Sequence, residues 1–300
     1  MDTPVIDCQK LSKRYGRDGF ALQDLDMQVR AGEIYGFLGP NGAGKSTTIR
    51  TLLNFIQPTS GQASILGLDI VKDSVKIKSH VGYLAGEVAL YPRMTGQQFL
   101  DYMAALQPIK NPDYLKHLIK RFDAQLDKPI ENLSKGNKQK LGVIQACMHE
   151  PEVLILDEPT SGLDPLMQSV FYEVVEDAKQ RGAAVFLSSH DLAEVRKMCD
   201  RIGFIRDGQL VAEKTISDLQ DNAEHSFDIT FTGELPLKQL RALHGATVEK
   251  LTDTSLNVQL KGSLTPLFKI LASHSVIALD KHEVNLEDEF LHLYEKEPAK

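Results

Sequence analysis

Two hydrophobic periodicities divide this 300-residue chain. Short apolar alternations occupy residues 4–13 and 20–30, with Val5, Cys8 and Leu11 and then Leu22, Leu25, Met27 and Val29. They predict two antiparallel strands joined through Tyr15 to Gly19. The runs Glu33–Leu38, Val153–Leu156 and Ala184–Ser188 are continuously apolar, as a strand buried on both faces must be. Gln62–Leu66, entered by the turn Pro58–Gly61, and Val81–Leu84 are further short strands. Ile202–Arg206 and Gln209–Glu213 flank Asp207-Gly208, a hairpin signal.

Between these strands the period becomes helical. Thr47–Leu53 follows one buried run, and Thr95 with Gln98 forms a capping box that opens a helix over Gly96–Leu106. Further helices are predicted over Tyr114–Phe122 and from Ser134 to His149, so residues 87–150 form a mostly helical insertion between strands. Asp164 and Pro165 stand as N-cap and first residue of Leu166–Lys179, and Leu192–Met198 is a short helix. Beyond about residue 220 the pattern is β-α-β-β-α-β. Its strands lie near 226–232, 246–252, 255–260 and 276–282, and helices are predicted over Pro236–Leu243, Pro266–Ala272 and Leu286–Tyr294. The domains expected are therefore 1–219 and a smaller split βαβ unit over 220–300. Asp280, His282 and Glu283 lie close together in that unit and read as a solvated strand face.

Composition narrows the class. Apolar residues make up 42% and charged residues 25%, an ordinary globular balance. No apolar run of 18 residues occurs, so the sequence predicts no membrane-spanning helix. The opening Met1–Asp7 lacks the basic end and apolar run of a signal peptide, which predicts a cytoplasmic protein. Three scattered cysteines, Cys8, Cys147 and Cys199, have no metal-ligand spacing and read as buried free thiols. A net charge of −7 supplies no global attraction to nucleic acid or an anionic membrane.

The chemistry begins at Gly39-Pro40-Asn41-Gly42-Ala43-Gly44-Lys45-Ser46-Thr47, which fits G-x-x-x-x-G-K-[ST] and lies between a buried strand and a helix. Glycines there turn successive N–H groups onto phosphates, Lys45 adds a point charge at the β- and γ-phosphates, and Ser46 offers a hydroxyl to Mg²⁺. Asp157 and Glu158 end the run Val153–Leu156, where adjacent carboxylates need a partner to offset their desolvation. A Mg²⁺ on the loop's phosphates is such a partner, with Asp157 holding it through its shell and Glu158 deprotonating the attacking water. His190, at the end of another buried strand, can hydrogen-bond a γ-phosphate. Leu133–Asn137 places Ser134 and backbone donors at a helix N-terminus, which is a second anion site or a plain serine N-cap. Tyr15 either stacks on a base or packs on its own sheet.

In this order and spacing, the first 215 or so residues resemble the nucleotide-binding subunit of an ATP-binding cassette (ABC) transporter. Gly39–Thr47 resembles its Walker A loop and Val153–Glu158 its Walker B strand. Ser161–Asp164 is similar to the D-loop, His190 to the switch histidine, Tyr15 to the adenine-stacking aromatic and Leu133–Asn137 to the signature motif. The resemblance implies an α/β fold: a P-loop NTPase (RecA-like) core with an antiparallel β subdomain and a helical insertion, followed here by a small C-terminal α+β domain. Two departures stand out. Lys135 replaces a signature glycine and Asn137 a glutamine, with Ser134 and Gly136 intact. The glutamine that usually touches Mg²⁺ after the Tyr83-Leu84 strand is Gly86, followed by Glu87, which either takes over the role or marks a plain joint.

The resemblance further implies an ATPase that uses ATP and Mg²⁺. It works as a homodimer in which Ser134 and Gly136 of one copy close over ATP held by Lys45 of the other. An integral membrane permease would be the partner, docked near Glu87–Arg93, with the subunit peripheral on the inner face of the cell membrane. The variations resemble a prokaryotic export branch. The rival class is a soluble cassette ATPase acting on nucleic acid or ribosomes, which the single P-loop, the absence of sustained heptads and the acidic balance disfavour.

Overall fold

The computed structural model describes residues 3–16, 19–221, 224–233 and 235–283, which divide into two compact units, Met1–Lys214 and Thr215–Lys300. Alternation forms β1 (Ile6–Arg14) and β2 (Phe20–Val29), which pair antiparallel from Ile6↔Val29 to Arg14↔Phe20. The apolar run Ile34–Leu38 is β3, buried at every position. After the glycine loop come α1 (Lys45–Leu52), β4 (Ser60–Ile65), β5 (Leu68–Asp69), α2 (Ser74–Lys78) and β6 (Val81–Leu84). Strands β1, β2, β4 and β5 make an antiparallel sheet in the order β2-β1-β4-β5.

Three capped helices follow. Thr95 and Gln98 close a capping box on α3 (Gly96–Leu106), Asn111 caps α4 (Pro112–Phe122), and Ser134 caps α5 (Lys135–Cys147). Each cap satisfies N–H groups that a helix start leaves open. Leu118 and Phe122 are fully buried, and Arg121 forks between Glu173 at 2.8 Å and Asp177 at 2.5 Å. Those acids lie on α6 (Pro165–Gln180), which follows β7 (Val153–Asp157). The unit then runs through β8 (Ala184–Ser189), α7 (Leu192–Met198), β9 (Arg201–Arg206) and β10 (Gln209–Thr215). Asp207 and Gly208 both take positive φ, 50° and 78°, as a two-residue hairpin turn requires.

The central sheet has the order β10-β9-β3-β8-β7-β6, with parallel pairing from β9 through β6. This pairing carries β3, β7 and β8 side by side, so their C-terminal ends share one edge. Tyr35, Phe37, Ile155 and Phe186 of this sheet belong to one buried cluster with Leu22, Leu25 and Met27 of β2. Cys8, Cys147 and Cys199 are buried free thiols; burial pushes each pKa up, that of Cys147 to about 12. Among the described residues no helix is long and apolar enough to cross a membrane.

The second unit opens with α8 (Ile216–Asp221), capped by Thr215, whose Oγ1 accepts from Asp218 N at 3.0 Å. The division thus falls before this helix, at 214/215, where the sequence reading sets 219/220. The unit continues with β11 (Glu224–Phe231), α9 (Leu237–Arg241), β12 (Ala246–Lys250), β13 (Ser255–Lys261), α10 (Thr265–Leu271) and β14 (Val276–Glu283). Its sheet is antiparallel throughout, in the order β12-β13-β11-β14. Phe227, Ile229, Phe231, Leu256, Val258 and Leu260 pack against Leu240, Leu267 and Leu271 of its two later helices. Asp280 is exposed on β14; the side chains of His282 and Glu283, and the helix expected over Leu286–Tyr294, lie outside the described residues.

Candidate active site

The site grows from the C-terminal edge of the parallel sheet. Beyond β3 the chain loops through Gly39–Gly44 and enters α1 at Lys45. Its N-cap, Gly44, has φ +114°, and a Cβ there would meet the Ala21 carbonyl at 2.6 Å, so only glycine fits. No side chain caps α1, and its first turn holds no acid. The open N–H groups and the helix dipole therefore make an anion cradle, in a cleft of about 190 Å³ walled by Pro40–Thr47 and Glu158. Lys45 is 6% exposed. Its ammonium donates to the carbonyls of Gly39 at 2.6 Å and Pro40 at 3.2 Å and lies 3.4 Å from Glu158 Oε1. Such partners are what a buried ammonium needs, and they hold it at the mouth of the cradle.

Strand β7 delivers Asp157, buried, to the same edge. Its two oxygens are separately engaged: Oδ2 accepts from Ser46 Oγ at 2.9 Å and Oδ1 from Ser188 Oγ at 2.5 Å. The parallel register Asp157↔Ser188 places that serine opposite the acid. Glu158 turns out of the strand with φ +47°, a left-handed conformation that costs a non-glycine residue about 1–2 kcal/mol. Its backbone N–H is secured by Ser188 O at 3.1 Å. Its carboxylate spans the cleft between Lys45 and His190, whose Nδ1 lies 2.7 Å from Oε2. His190 is 62% exposed, so the pair faces solvent on one side.

A larger cleft of about 630 Å³ adjoins these groups, lined by Ser46, Asp157, Glu158 and His190 and, across from them, by Arg50, Tyr83, Glu87 and Lys135. Burial and the Asp157 charge raise the Tyr83 pKa, keeping this phenol neutral. Gly86 lies against Asp157, 3.5 Å from its carboxylate at the position of a Cβ. Among the described residues no three His, Cys, Asp or Glu side chains converge on one point. The donors fit Mg²⁺ nevertheless, because Mg²⁺ keeps several waters and is commonly held by one or two protein oxygens plus phosphates. Ser46 Oγ and Asp157 are such a pair, beside the cradle.

Three candidates lie elsewhere. Tyr15, at the end of β1, is half exposed beneath the Lys13 ammonium, 5.4 Å from the ring centre, and lines neither cleft. Ser134 is exposed as the N-cap of α5, its Oγ accepting from Asn137 N at 3.2 Å and Asn137 Nδ2 at 3.1 Å. Gly136 abuts the Gly162 carbonyl, 2.9 Å from where a Cβ would stand. Neither Ser134 nor Gly136 lines the clefts around Lys45.

Residues 22–161 match the ABC transporter family model. The chain is 37% identical over 221 residues to YbhF of Escherichia coli K12, a probable multidrug ABC transporter ATP-binding protein, covering 72% of this chain but only 38% of that one. It is 32% identical over 298 residues to the bacitracin transport ATP-binding protein BcrA of Bacillus licheniformis, covering 96% of this chain and 97% of that one. The chain is an ABC transporter ATP-binding protein. The solved structure of an ATP-binding subunit of an ABC transporter superposes with a TM-score of 0.67 at 30% identity, over 72% of this chain and 92% of that one.

At the candidate edge two residues escape sequence reasoning. Ser188 clamps Asp157 and receives the Glu158 N–H. A hydroxyl ending a buried run, one strand over from the acid, was the available signal. Gln139, buried on α5, donates to the Pro159 carbonyl at 2.7 Å and fixes the turn beyond Glu158. A buried glutamine on an otherwise apolar helix face was its signal.

Proposed function

We propose that the chain powers export through a separate membrane permease, by closing as a head-to-tail dimer over ATP and opening after hydrolysis. The observation that carries this reading is the convergence of Lys45, Ser46, Asp157, Glu158 and His190 on one cleft edge. The backbone of Gly39–Thr47 and Lys45 hold the phosphates. Ser46 and, through water, Asp157 would hold a Mg²⁺, which would offset the phosphate charge. Glu158 takes a proton from water as that water attacks the γ-phosphorus and the bond to ADP breaks; His190 aligns the γ-phosphate and returns to Glu158 afterwards. Glu87, in the mouth of the cleft, stands for the glutamine that relatives place there. Tyr15 offers its exposed ring to adenine.

Ser134 and Gly136 line neither cleft around Lys45 of their own chain, which supports a second copy supplying these groups to each nucleotide. Closure then completes the cage and excludes water. The segment Glu87–Arg93 carries Tyr91, which packs edge-on against Tyr102 at 5.5 Å with both rings partly exposed. These aromatics suit an intracellular helix of the permease. The full-length likeness to a bacitracin transport protein supports export of a bulky compound. Purification of the full chain from detergent-solubilised membranes tests the reading. Recovery with an integral membrane protein is the expected outcome; recovery with ribosomes or nucleic acid alone would overturn it.

A further inference from the structure

Behind the reacting groups lies an acid that the mechanism does not use. Glu194, in the first turn of α7, is 6% exposed. Its Oε2 accepts from Ser189 Oγ at 2.6 Å, and the Thr160 hydroxyl lies close enough to favour the charged carboxylate. Its Oε1 closes no hydrogen bond. Burial raises its pKa, and the nearby Asp191 and Glu158 charges add to this against the lowering by Ser189 and Thr160. A carboxylate kept in such surroundings is costly, and nothing in the packing of α7 alone demands it.

Its two neighbours explain it. Ser189 precedes His190 and accepts the Asp191 N–H on its hydroxyl at 3.0 Å, while its carbonyl receives Gly39 N at 3.3 Å. Thr160 lies two residues past Glu158, in the turn that also carries Ser161 and Gly162. Alternation along β8 sends Ser188 toward Asp157 and Ser189 the opposite way, toward α7. One buried carboxylate therefore holds, by a hydrogen bond to Ser189, the turn that bears the histidine.

We propose that Glu194 is a positioning residue for hydrolysis: through Ser189 it holds the turn of His190 in place from behind, without touching nucleotide. The inference rests on the assignment of Glu158 and His190 above. Removing the brace lets the His190 turn drift, and a displacement of about 1 Å in a reacting group costs up to about 100-fold in rate. The phosphate loop meets Ser189 through its carbonyl, which keeps the Gly39 N–H, and not through the hydroxyl that Glu194 holds, so affinity for ATP is expected to be largely spared.

The test is steady-state ATP hydrolysis by the full chain, with Glu194→Ala, Glu194→Gln, Ser189→Ala and Glu158→Gln measured together. Glu194→Ala is expected to lower kcat about 10- to 100-fold with KM for ATP within about 3-fold of wild type. Glu194→Gln keeps an acceptor for Ser189 and recovers most of the loss, which a purely structural role for the charge would not allow. Ser189→Ala, which deletes one hydroxyl and keeps the chain folded, lowers kcat about 5-fold. A wild-type kcat in Ser189→Ala and Glu194→Ala, or a loss of ATP affinity that matches the loss of kcat, overturns the proposal. A wild-type rate in Glu158→Gln instead sinks the assignment of the base and this inference with it; a lost rate there beside an intact Glu194→Ala sinks this inference alone.

Discussion

The two units solve the same problem, how to end a β-strand, in opposite ways. In the cassette, β3, β7 and β8 run parallel, so three buried strands deliver Lys45, Asp157, Glu158 and Ser188 to one edge. There the carboxylates are satisfied by groups from other elements, through the Ser188, Ser46 and Lys45 contacts. In the second unit every strand pair is antiparallel, which distributes strand ends over both edges. Its polar residues are satisfied within the sheet: Asn257 Nδ2 donates to Ser226 Oγ at 3.0 Å and to Asp228 Oδ1 at 2.6 Å. Parallel strands concentrate unsatisfied chemistry at one edge, and a ligand can use it. Antiparallel strands disperse it, which leaves a sheet finished in these polar groups, with Ile277 and Leu279 of β14 still exposed.

The sharpest break of this comparison is Glu158→Gln, which keeps the shape of the side chain and removes its basicity. Turnover should fall about 10²- to 10⁴-fold with ATP still bound, read by single-turnover hydrolysis beside equilibrium nucleotide binding. A wild-type rate would show that the edge is not the reacting centre. In the second unit, Leu256→Ala empties a fully buried site and should cost about 2–5 kcal/mol. Calorimetry of the full chain should show one transition moving down while kcat for ATP stays unchanged. A matching loss of turnover would mean that the sheet surface is not finished but serves the cassette. A smaller effect is expected from Ser188→Ala, which removes a charge-assisted bond to Asp157; turnover should drop about 10-fold. Restoring it with Ser188→Thr separates the hydroxyl from the space it fills.

The smallest effect concerns His149, 5% exposed, whose ring nitrogens close no hydrogen bond of full geometry although the Val81 backbone lies near. Burial lowers its pKa in the folded cassette below the value of about 6.5 that an unfolded chain has. The unfolded state then binds more protons as pH falls through about 6.5, so folding stability declines on the acid side and levels off below the folded pKa. Denaturant unfolding at several pH values between 5 and 7.5 should show this slope in wild type and a shallower one in His149→Leu.

Most of the strand and helix plan was legible because this sequence signals it locally. Thr95 with Gln98, Asn111 before Pro112 and Asp164 before Pro165 cap the helices that the periodicity predicts. Runs such as Val153–Leu156 are apolar at every position because parallel strands are covered on both faces. The charged members of the site were legible for the opposite reason, since Asp157 and Glu158 interrupt a run that should stay apolar. Ser188, Gln139 and Glu194 were not, because a polar residue that ends or interrupts an apolar stretch signals a partner without saying in one dimension which neighbour it meets. Ser188 is adjacent to Asp157 only through the parallel register, 31 positions away in the chain. The split at 214/215 also escaped reading, as the cap by Thr215 lies inside what looks like the end of a strand.

Glu158 carries a consequence for how this protein could be altered. Its φ of +47° sets the one side chain that must face both Lys45 and His190 on a backbone that favours glycine or asparagine. A library of variants selected for heat resistance alone should therefore enrich Glu158→Gly and Glu158→Asn, which release the torsional penalty and abolish turnover together. Durability and turnover are therefore expected to trade against each other at this position.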